Sequence, residues 1–301
     1  MQDFVGKVAV ITGAGSGFGR EFARIGTRLG MKLVLADVQK DALAETYAEV
    51  TNAGAGAILH ATDVSKPSDV DALARATVDT YGVPHLVFNN AGVGGSGGLI
   101  WENSEQDWTW VLGVNLGGVI HGVKAFTPLM LEAAKKDPNY RGHIVNTASM
   151  AGLLNAPLMG SYNVSKHAVV SLTETLYQDL SLVTEQVHCS VLCPYFVPTG
   201  IAQASRNRPE TLRNDAPKTR SQQVAAALSE KAVKSGKVTA AEVAELVFDA
   251  IRKEAFYIYS HPNSLAPVHA RFGDIVNHRN PSDPYAERPN VREELTAALR
   301  G

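Results

Sequence analysis

The chain has 301 residues, of which 45% are hydrophobic and 19% are charged, and its 28 Lys and Arg against 30 Asp and Glu give a formal net charge of −2. This composition provides enough apolar material for a buried core, and it excludes a disordered chain, a collagen and a disulfide scaffold. Because the chain is nearly neutral and has no basic clusters, we expect neither nucleic acid nor an anionic membrane as a partner.

The first residues and the two cysteines indicate a cytoplasmic protein. Residues 1–7 lack the basic and apolar segments of a secretory signal, and no apolar run reaches the ~18 residues of a membrane span. Cys189 and Cys193 are four residues apart in a strand pattern and so share one face. We expect buried, unreactive thiols there, rather than a redox pair or a metal site.

Strand and helix patterns alternate through the first two thirds of the chain. The strand patterns are short β-branched runs, and the helix patterns repeat apolar residues at helical spacing. The predicted strands cover residues 7–12, 32–37, 57–61, 85–89, 143–147 and 187–192, and the predicted helices cover residues 17–29, 41–50, 67–81, 108–131 and 162–182. A last helix, 240–253, and a last strand, 256–259, are predicted after this alternation has ended. This alternation predicts an α/β fold, a Rossmann-type doubly wound parallel sheet with helices on both faces.

The alternation ends after Pro194. Residues 200–240 are polar and show no strand pattern, so we interpret them as a substrate lid. Residues 261–301 contain five prolines and predict a tail with short helices at most. With no repeat or domain boundary, the chain is predicted to form a single domain, 1–301. Three lid arginines could bind an acidic group, but we favour solvated surface charges for Arg206, Arg208 and Arg213.

A glycine-rich turn, Thr-Gly-Ala-Gly-Ser-Gly-Phe-Gly at residues 12–19, lies between the first predicted strand and the first predicted helix. Glycines allow a tight turn and a close backbone approach to a pyrophosphate, which meets the N–H groups at the helix N-terminus. A lone turn of this kind can also be purely structural. The strict G-x-G-x-x-G spacing is not met, and the missing G-K-[ST] argues against a Walker-type NTPase.

Asp37 closes the second predicted strand, 20 residues after Gly17. A carboxylate at this place can bond the adenosine ribose hydroxyls and repel a 2′-phosphate. No Arg or Lys stands at position 16 or 38 to bind such a phosphate, so we predict NAD as cofactor, with NADP as the alternative. A helix cap or an ordinary loop acid is the other interpretation of Asp37.

Tyr162 and Lys166 lie four residues apart on a predicted helix and therefore share one face. A free phenol, with a pKa near ~10, is a poor base at neutral pH. An adjacent ammonium, together with a positively charged nicotinamide ring, stabilises the phenolate. Tyr162 could then exchange a proton with an alcohol or a ketone while hydride moves. An ordinary surface pair is the alternative.

Residues 5–200 resemble the short-chain dehydrogenase/reductase family. The chain has the family's T-G-x-x-x-G-x-G turn, its N-N-A-G at residues 89–92 and its Y-x-x-x-K at residues 162–166. Three single residues also fit the family pattern, namely a serine 13 residues before the tyrosine, a helix asparagine and an acid near the adenine: Ser149, Asn115 and Asp63. Six matches in register are far more specific than any one of them.

The resemblance implies four catalytic residues. Ser149 would bond the substrate oxygen, and Tyr162 would be the acid/base. Lys166 would lower the pKa of that tyrosine and bond the nicotinamide ribose, while Asn115 would hold a water that links Lys166 to solvent. The implied cofactor-binding residues are Gly13, Ser16, Gly17, Phe18, Gly19, Asp37, Asp63, Val64, Asn90, Ala91, Gly92, Tyr162, Lys166, Pro194, Val197 and Thr199.

One position departs from the family. The family usually has Pro-Gly after the sixth strand, where this chain has Pro194 and Tyr195. The bulky ring of Tyr195 either shapes the substrate site or points away from it. Segments 93–99 and 151–159 are mostly apolar, so we predict a bulky apolar or aromatic secondary alcohol or ketone. The expected substrate contacts are Ser149, Leu154, Tyr162 and Tyr195.

Two other functions are kept open. An NADPH-dependent carbonyl reductase would use the same site in the opposite direction. A catalytically silent dinucleotide-binding sensor or scaffold belongs to another class, and the four intact catalytic candidates argue against it. The resemblance also implies a homodimer or a homotetramer.

Overall fold

Seven parallel strands form one sheet in the structure, a computed structural model that describes residues 1–300. The strands are β1 (Val8–Thr12), β2 (Lys32–Asp37), β3 (Ala57–Ala61), β4 (Leu86–Asn89), β5 (Gly142–Thr147), β6 (Val187–Cys193) and β7 (Tyr257–Tyr259). Their order is β3-β2-β1-β4-β5-β6-β7, and every pair is parallel. The predicted doubly wound α/β fold is confirmed.

Helices cover both faces of the sheet because neighbouring residues of each central strand are buried on opposite sides. Ile11 and Phe88 join the core on one face, and Val10 and Val87 join the core on the other. The helices are α1 (Gly17–Arg28), α2 (Lys40–Asn52), α3 (Pro67–Tyr81), α4 (Glu105–Leu112), α5 (Gly118–Lys136), α6 (Gly160–Val183), α7 (Arg220–Lys234), α8 (Ala240–Lys253), α9 (Ala266–Val276) and α10 (Pro289–Arg300).

The strand order places a crevice at the carboxyl ends of the central strands. β1 pairs with β2 on one side and with β4 on the other, so the connections leave β1 and β4 in opposite directions. The segments after β1, β4 and β5 therefore meet at one edge of the sheet. This is the edge at which open α/β sheets bind ligands.

The single long helix predicted over residues 108–131 is wrong. α4 begins earlier, with Ser104 and Asp107 forming a reciprocal capping box, and a π-helical turn over Gly113–Gly117 separates it from α5. Glycines at both ends of the turn weaken helix propensity, and Asn115 at its centre bonds the main chain of Val93. The apolar spacing continues through the turn, so the sequence pattern did not reveal it.

The region 200–240 contains a helix that the sequence pattern did not predict. Two 3₁₀ segments, Gly200–Asn207 and Glu210–Leu212, precede α7, whose N-terminus is capped by Thr219 and Gln222. α7 buries only a narrow stripe that includes polar residues, and its remaining positions are exposed or half-buried. Such a helix has a weak apolar period, which explains why it was missed.

Arg208 is not the solvated surface charge that we expected. Its side chain is only 9% exposed, and its Nη1 lies 2.6 Å from Oδ1 of the fully buried Asp107. The guanidinium also lies over the ring of Trp110, 5.2 Å from the centroid. The lid is thus joined to α4 by a buried ion pair. Arg206 and Arg213 are exposed, as expected.

The tail forms α9 and α10, joined by a loop. Both are short helices, in agreement with the prediction for this region. Within residues 1–300, no helix combines the length and apolar character needed to cross a bilayer. In the same range, no three His, Cys, Asp or Glu side chains come together as metal ligands. Cys189 and Cys193 are buried free thiols, and burial raises the pKa of each to about 12.

Candidate active site

A cleft of about 1560 Å³ opens at the carboxyl edge of the sheet. It runs from the glycine turn, past the start of α6, to the lid and the tail. Of the predicted site residues, only Gly19 and Asn115 do not line it. Those that do are Gly13, Ser16, Gly17, Phe18, Asp37, Asp63, Val64, Asn90, Ala91, Gly92, Ser149, Leu154, Tyr162, Lys166, Pro194, Tyr195, Val197 and Thr199.

The glycine turn fits a pyrophosphate. Gly13 and Gly17 have φ angles of 68° and 53°, which disfavour residues with side chains. A Cβ on Gly19 would lie 2.1 Å from the carbonyl oxygen of Gly13, so Gly19 allows the close packing of α1 on the turn. Ser16 caps α1 without a side-chain hydrogen bond, which leaves the first N–H groups free for an anion.

Asp37 is fixed at the outer end of this turn. Its Oδ2 accepts from the N–H of Gly15 at 2.8 Å, and its Oδ1 accepts from the N–H of Gln39 at 2.9 Å. The carboxylate lines the cleft. Two cations, Lys40 and Lys66, line the same end, and Lys66 Nζ lies 3.5 Å from Asp63 Oδ2. This end of the cleft thus holds charges of both signs.

Thr12 organises the next segment, a role that the sequence analysis did not predict. Its Oγ1 accepts from the N–H groups of Asn90 and Ala91 at 2.9 and 3.1 Å, and it donates to the carbonyl of Phe88 at 3.0 Å. This hydroxyl ties the end of β1 to the end of β4. Its position as the last residue of β1, at the start of the glycine motif, was the available signal.

Tyr162 and Lys166 lie in the first two turns of α6, as their spacing predicted. Lys166 Nζ donates to the carbonyl of Thr147 at 2.8 Å and lies 5.8 Å from the centroid of the Tyr162 ring. The side chain of Lys166 is buried, and this burial lowers its pKa to about 8. The site therefore holds an ammonium that gains stability from any anion formed beside it.

Burial raises the pKa of Tyr162 above its ordinary value, while a hydrogen bond with Ser149 acts in the opposite direction. The lowering that we expect from an ammonium together with a cationic nicotinamide ring is thus not provided by the chain alone. Because the site is poorly solvated, an added positive charge would lower the pKa of Tyr162 more strongly than it would in water.

Ser149 follows β5 and faces the same part of the cleft. Its Oγ accepts from the N–H of Ala151 at 3.1 Å and donates to the carbonyl of Pro194 in a long contact of 3.4 Å. The weak donor contact leaves this hydroxyl free to turn to a better acceptor, such as a substrate oxygen.

Asn115 is fully buried behind the cleft. Its Oδ1 accepts from the N–H of Val93 at 2.8 Å, and its Nδ2 donates to the carbonyl of Val93 and to Ser165 Oγ, each at 3.0 Å. Gly92 packs closely beside it, since a Cβ at this position would lie 3.3 Å from Oδ1 and 3.6 Å from Lys166 Nζ. These bonds use both N–H groups of the side-chain amide, while Oδ1 accepts one hydrogen bond and keeps a second lone pair.

Tyr195 lines the cleft and does not point away from it. Its ring meets those of Phe196 and His261 edge-on at 4.8 and 5.8 Å, and its N–H donates to Ser260 Oγ at 2.9 Å. The rest of this end combines apolar side chains with charged side chains of the lid and the tail. Further lining residues here include Leu154, Met159, Leu212, Val233 and Ile275.

Comparison with known proteins places this geometry in a family. The family model described as short chain dehydrogenase matches residues 7–210. A short-chain dehydrogenase/reductase from Burkholderia phymatum, solved in complex with NAD, is 58% identical, with a TM-score of 0.91 over 94% of this chain and 99% of that chain.

Two further proteins show the range of the relatives. Cyclohexanol dehydrogenase from an Acinetobacter species is 34% identical over 62% of this chain and 72% of its own length. A metagenomic short-chain oxidoreductase solved with NADP is 32% identical, with a TM-score of 0.59 over 64% of this chain and 83% of that chain.

Proposed function

The chain belongs to the short-chain dehydrogenase/reductase family, and we propose that it interconverts a secondary alcohol and a ketone with NAD as the hydride carrier. The observation that carries this proposal is the convergence of Ser149, Tyr162 and Lys166 in one cleft with the glycine turn and Asp37. The similarity to cyclohexanol dehydrogenase supports an alcohol as the reduced substrate.

The chain's own residues handle the proton. In the oxidative direction, the substrate hydroxyl gives its proton to the Tyr162 phenolate while a hydride leaves the carbinol carbon. A bound nicotinamide ring supplies the acceptor for that hydride. The Ser149 hydroxyl donates to the substrate oxygen and holds it beside the tyrosine, and the Lys166 ammonium stabilises the phenolate.

Asn115 completes the catalytic set as a support for proton exchange. We place a water against an oxygen of Asn115, because both side-chain N–H donors are used by Val93 and Ser165. Such a water could link Lys166 to solvent and return the proton after each turnover. In this proposal the bonds of Asn115 to Val93 also keep the floor of the cleft in place.

The choice of NAD depends on Asp37. A carboxylate at the end of β2 bonds ribose hydroxyls and repels a 2′-phosphate. An NADPH-dependent carbonyl reductase is the second candidate, because Lys40 and Lys66 line the same end and a similar oxidoreductase binds NADP. The fixed position of Asp37 next to the turn favours NAD.

The first prediction concerns substrate and cofactor together. With NAD, the purified chain should oxidise bulky cyclic or aromatic secondary alcohols, measured as the absorbance of the reduced nicotinamide. NADP should support slower turnover, and aliphatic alcohols should be poorer substrates. Calorimetry with NAD is the control. No turnover despite tight NAD binding would favour a sensor, and absence of NAD binding would contradict the cofactor assignment.

A further inference from the structure

The C-terminal tail contributes a wall of the cleft. Nine of the ten residues from 279 to 288 line it. These residues lie more than 110 positions beyond the Y-x-x-x-K motif and outside the segment that the family model matches. The tail therefore adds to the substrate site of this chain, independently of the family motifs.

One anchor fixes the start of the tail loop. Asp274, nearly buried on α9, accepts from the N–H of Ser282 at 2.8 Å and forms an ion pair with Arg279, whose Nε lies 3.1 Å away. The carbonyl of Asp274 also accepts from the N–H of Arg279 at 2.9 Å. This set of bonds turns the chain back over the cleft.

A second anchor fixes the end of the loop. Asp283 accepts from the N–H of Tyr285 at 3.0 Å and pairs with Arg292 of α10 at 2.8 Å. α10 in turn buries Leu295 in a small apolar cluster with Leu158 and Ala225, the latter on α7. The loop is thus held at both ends, against α9 and against the lid helix.

Tyr285 lies between this apolar cluster and the cleft. It is half-buried, packs against the cluster and also lines the cleft. Burial is the main cause of the raised pKa of Tyr285; Arg288 acts in the opposite direction, and Asp283 and Tyr195 add to the increase. Two aromatic side chains, one after β6 and one from the tail, thus line the same cleft.

We infer that Tyr285 is a specificity-determining residue which, with Tyr195, forms an aromatic wall that selects cyclic or aromatic secondary alcohols over small acyclic ones. Aromatic rings bury large apolar areas and gain further energy from edge or offset contacts with another ring. A small alcohol can reach the same Tyr162, but it is too short to bury apolar surface against this wall. The inference rests on the proposed function and names the substrate class for that site.

The test compares 1-phenylethanol with 2-propanol in Tyr285→Ala, Tyr285→Phe and Tyr285→Leu. Removal of the ring should lower kcat/KM for 1-phenylethanol about tenfold or more, mostly through KM, and change that for 2-propanol less than about threefold. Tyr285→Phe keeps the ring and should remain near wild type. Tyr285→Leu keeps an apolar side chain against the cluster that contains Leu295, and it should show the same selective loss of kcat/KM for 1-phenylethanol. It therefore keeps the test valid if Tyr285→Ala fails to fold.

The matched control is Tyr177→Ala, which removes an exposed tyrosine of α6 that packs on Phe256 outside the cleft. It should leave the ratio of the two alcohols unchanged. Equal losses for both alcohols in the leucine variant, or an unchanged ratio, would overturn the inference.

The inference can also be tested apart from turnover. If the wild type binds NAD but oxidises neither alcohol, the proposed function fails. Calorimetry then measures the binding of 1-phenylethanol to the enzyme–NAD complex, and this binding tests the aromatic wall. Weaker binding in Tyr285→Leu than in wild type and Tyr177→Ala supports the aromatic wall, while equal binding, or no binding by the wild type, overturns it.

Discussion

At the scale of single residues, burial disfavours the charged form of both Tyr162 and Lys166, and no oppositely charged partner in the described part of the chain offsets this effect. Lys166 is buried against a main-chain carbonyl, and no carboxylate within residues 1–300 forms an ion pair with it. Burial lowers the pKa of this ammonium and raises the pKa of the Tyr162 phenol. A phenolate beside the ammonium relieves both effects, because each charge then gains an opposite neighbour.

A buried histidine gives the fold a predictable dependence on pH. His143 on β5 is 1% exposed, and its Nε2 meets Ser190 Oγ at 2.7 Å, while that hydroxyl donates to the carbonyl of Ala255. Its Nδ1 is buried without a partner. Burial lowers the pKa of His143 to about 3, so the folded chain keeps this imidazole neutral.

We predict that His143 destabilises the fold below the ordinary histidine pKa of ~6.5. Between that value and about 3, His143 is protonated in the unfolded chain but stays neutral in the folded chain. The free energy of unfolding should therefore fall by up to about 1.4 kcal/mol per pH unit from this group as the pH decreases. Urea unfolding from about pH 7.5 to about pH 5 measures the slope.

The variants for this measurement are His143→Leu and His269→Gln. Loss of His143 should make the dependence on pH shallower by that amount, whatever its effect on stability at neutral pH. His269 is exposed on α9, and its replacement should keep the wild-type slope. An unchanged slope in His143→Leu would contradict the prediction.

At the scale of elements, one carboxylate joins α4 to the lid. Asp107 completes the capping box of α4 through the N–H of Ser104, and the same side chain accepts from Arg208 and Asn214 of the lid. Because the capping group and the lid anchor are one residue, the start of α4 and the position of the lid are linked.

We predict that Arg208→Met lowers the free energy of unfolding by about 3 kcal/mol, since it leaves the Asp107 carboxylate buried without its cation. The control, Arg213→Met, breaks an exposed pair with Glu210 and should cost about 0–1 kcal/mol. Urea unfolding measures both. The double variant Asp107→Asn/Arg208→Met should be less unstable than the sum of its single changes. Equal costs for the two arginine variants would be the contrary result.

The elements that the sequence predicted are those whose signal is local. Each buried strand is an apolar, β-branched run that is recognisable without its neighbours. The break between α4 and α5 depends on the bonds of Asn115 to Val93, 22 positions away. Arg208 resembles any other lid arginine until Asp107, 101 positions away, is placed beside it. Contacts at such separations leave no periodic pattern, which is why these features were missed.

At the scale of the whole molecule, the strand order brings motifs that are distant in sequence together in one cleft. The glycine turn, the N-N-A-G segment, Ser149 and Pro194 follow β1, β4, β5 and β6, which are neighbours in the sheet. Their proximity was therefore predictable once a doubly wound sheet was predicted. Tyr285 was not predictable, because the tail returns to the cleft through Asp274 and α10, outside the β-α alternation.

The most direct test of the proposed mechanism is the turnover of Tyr162→Phe beside wild type, measured as formation of reduced nicotinamide from NAD and a bulky secondary alcohol. Removal of the phenol oxygen should lower kcat by about 10²- to 10⁴-fold or more, because the proton then has no acceptor in the cleft. NAD binding by calorimetry should stay near wild type, and Tyr177→Phe should turn over normally. Turnover by Tyr162→Phe at the wild-type rate would contradict the role of Tyr162 as acid/base.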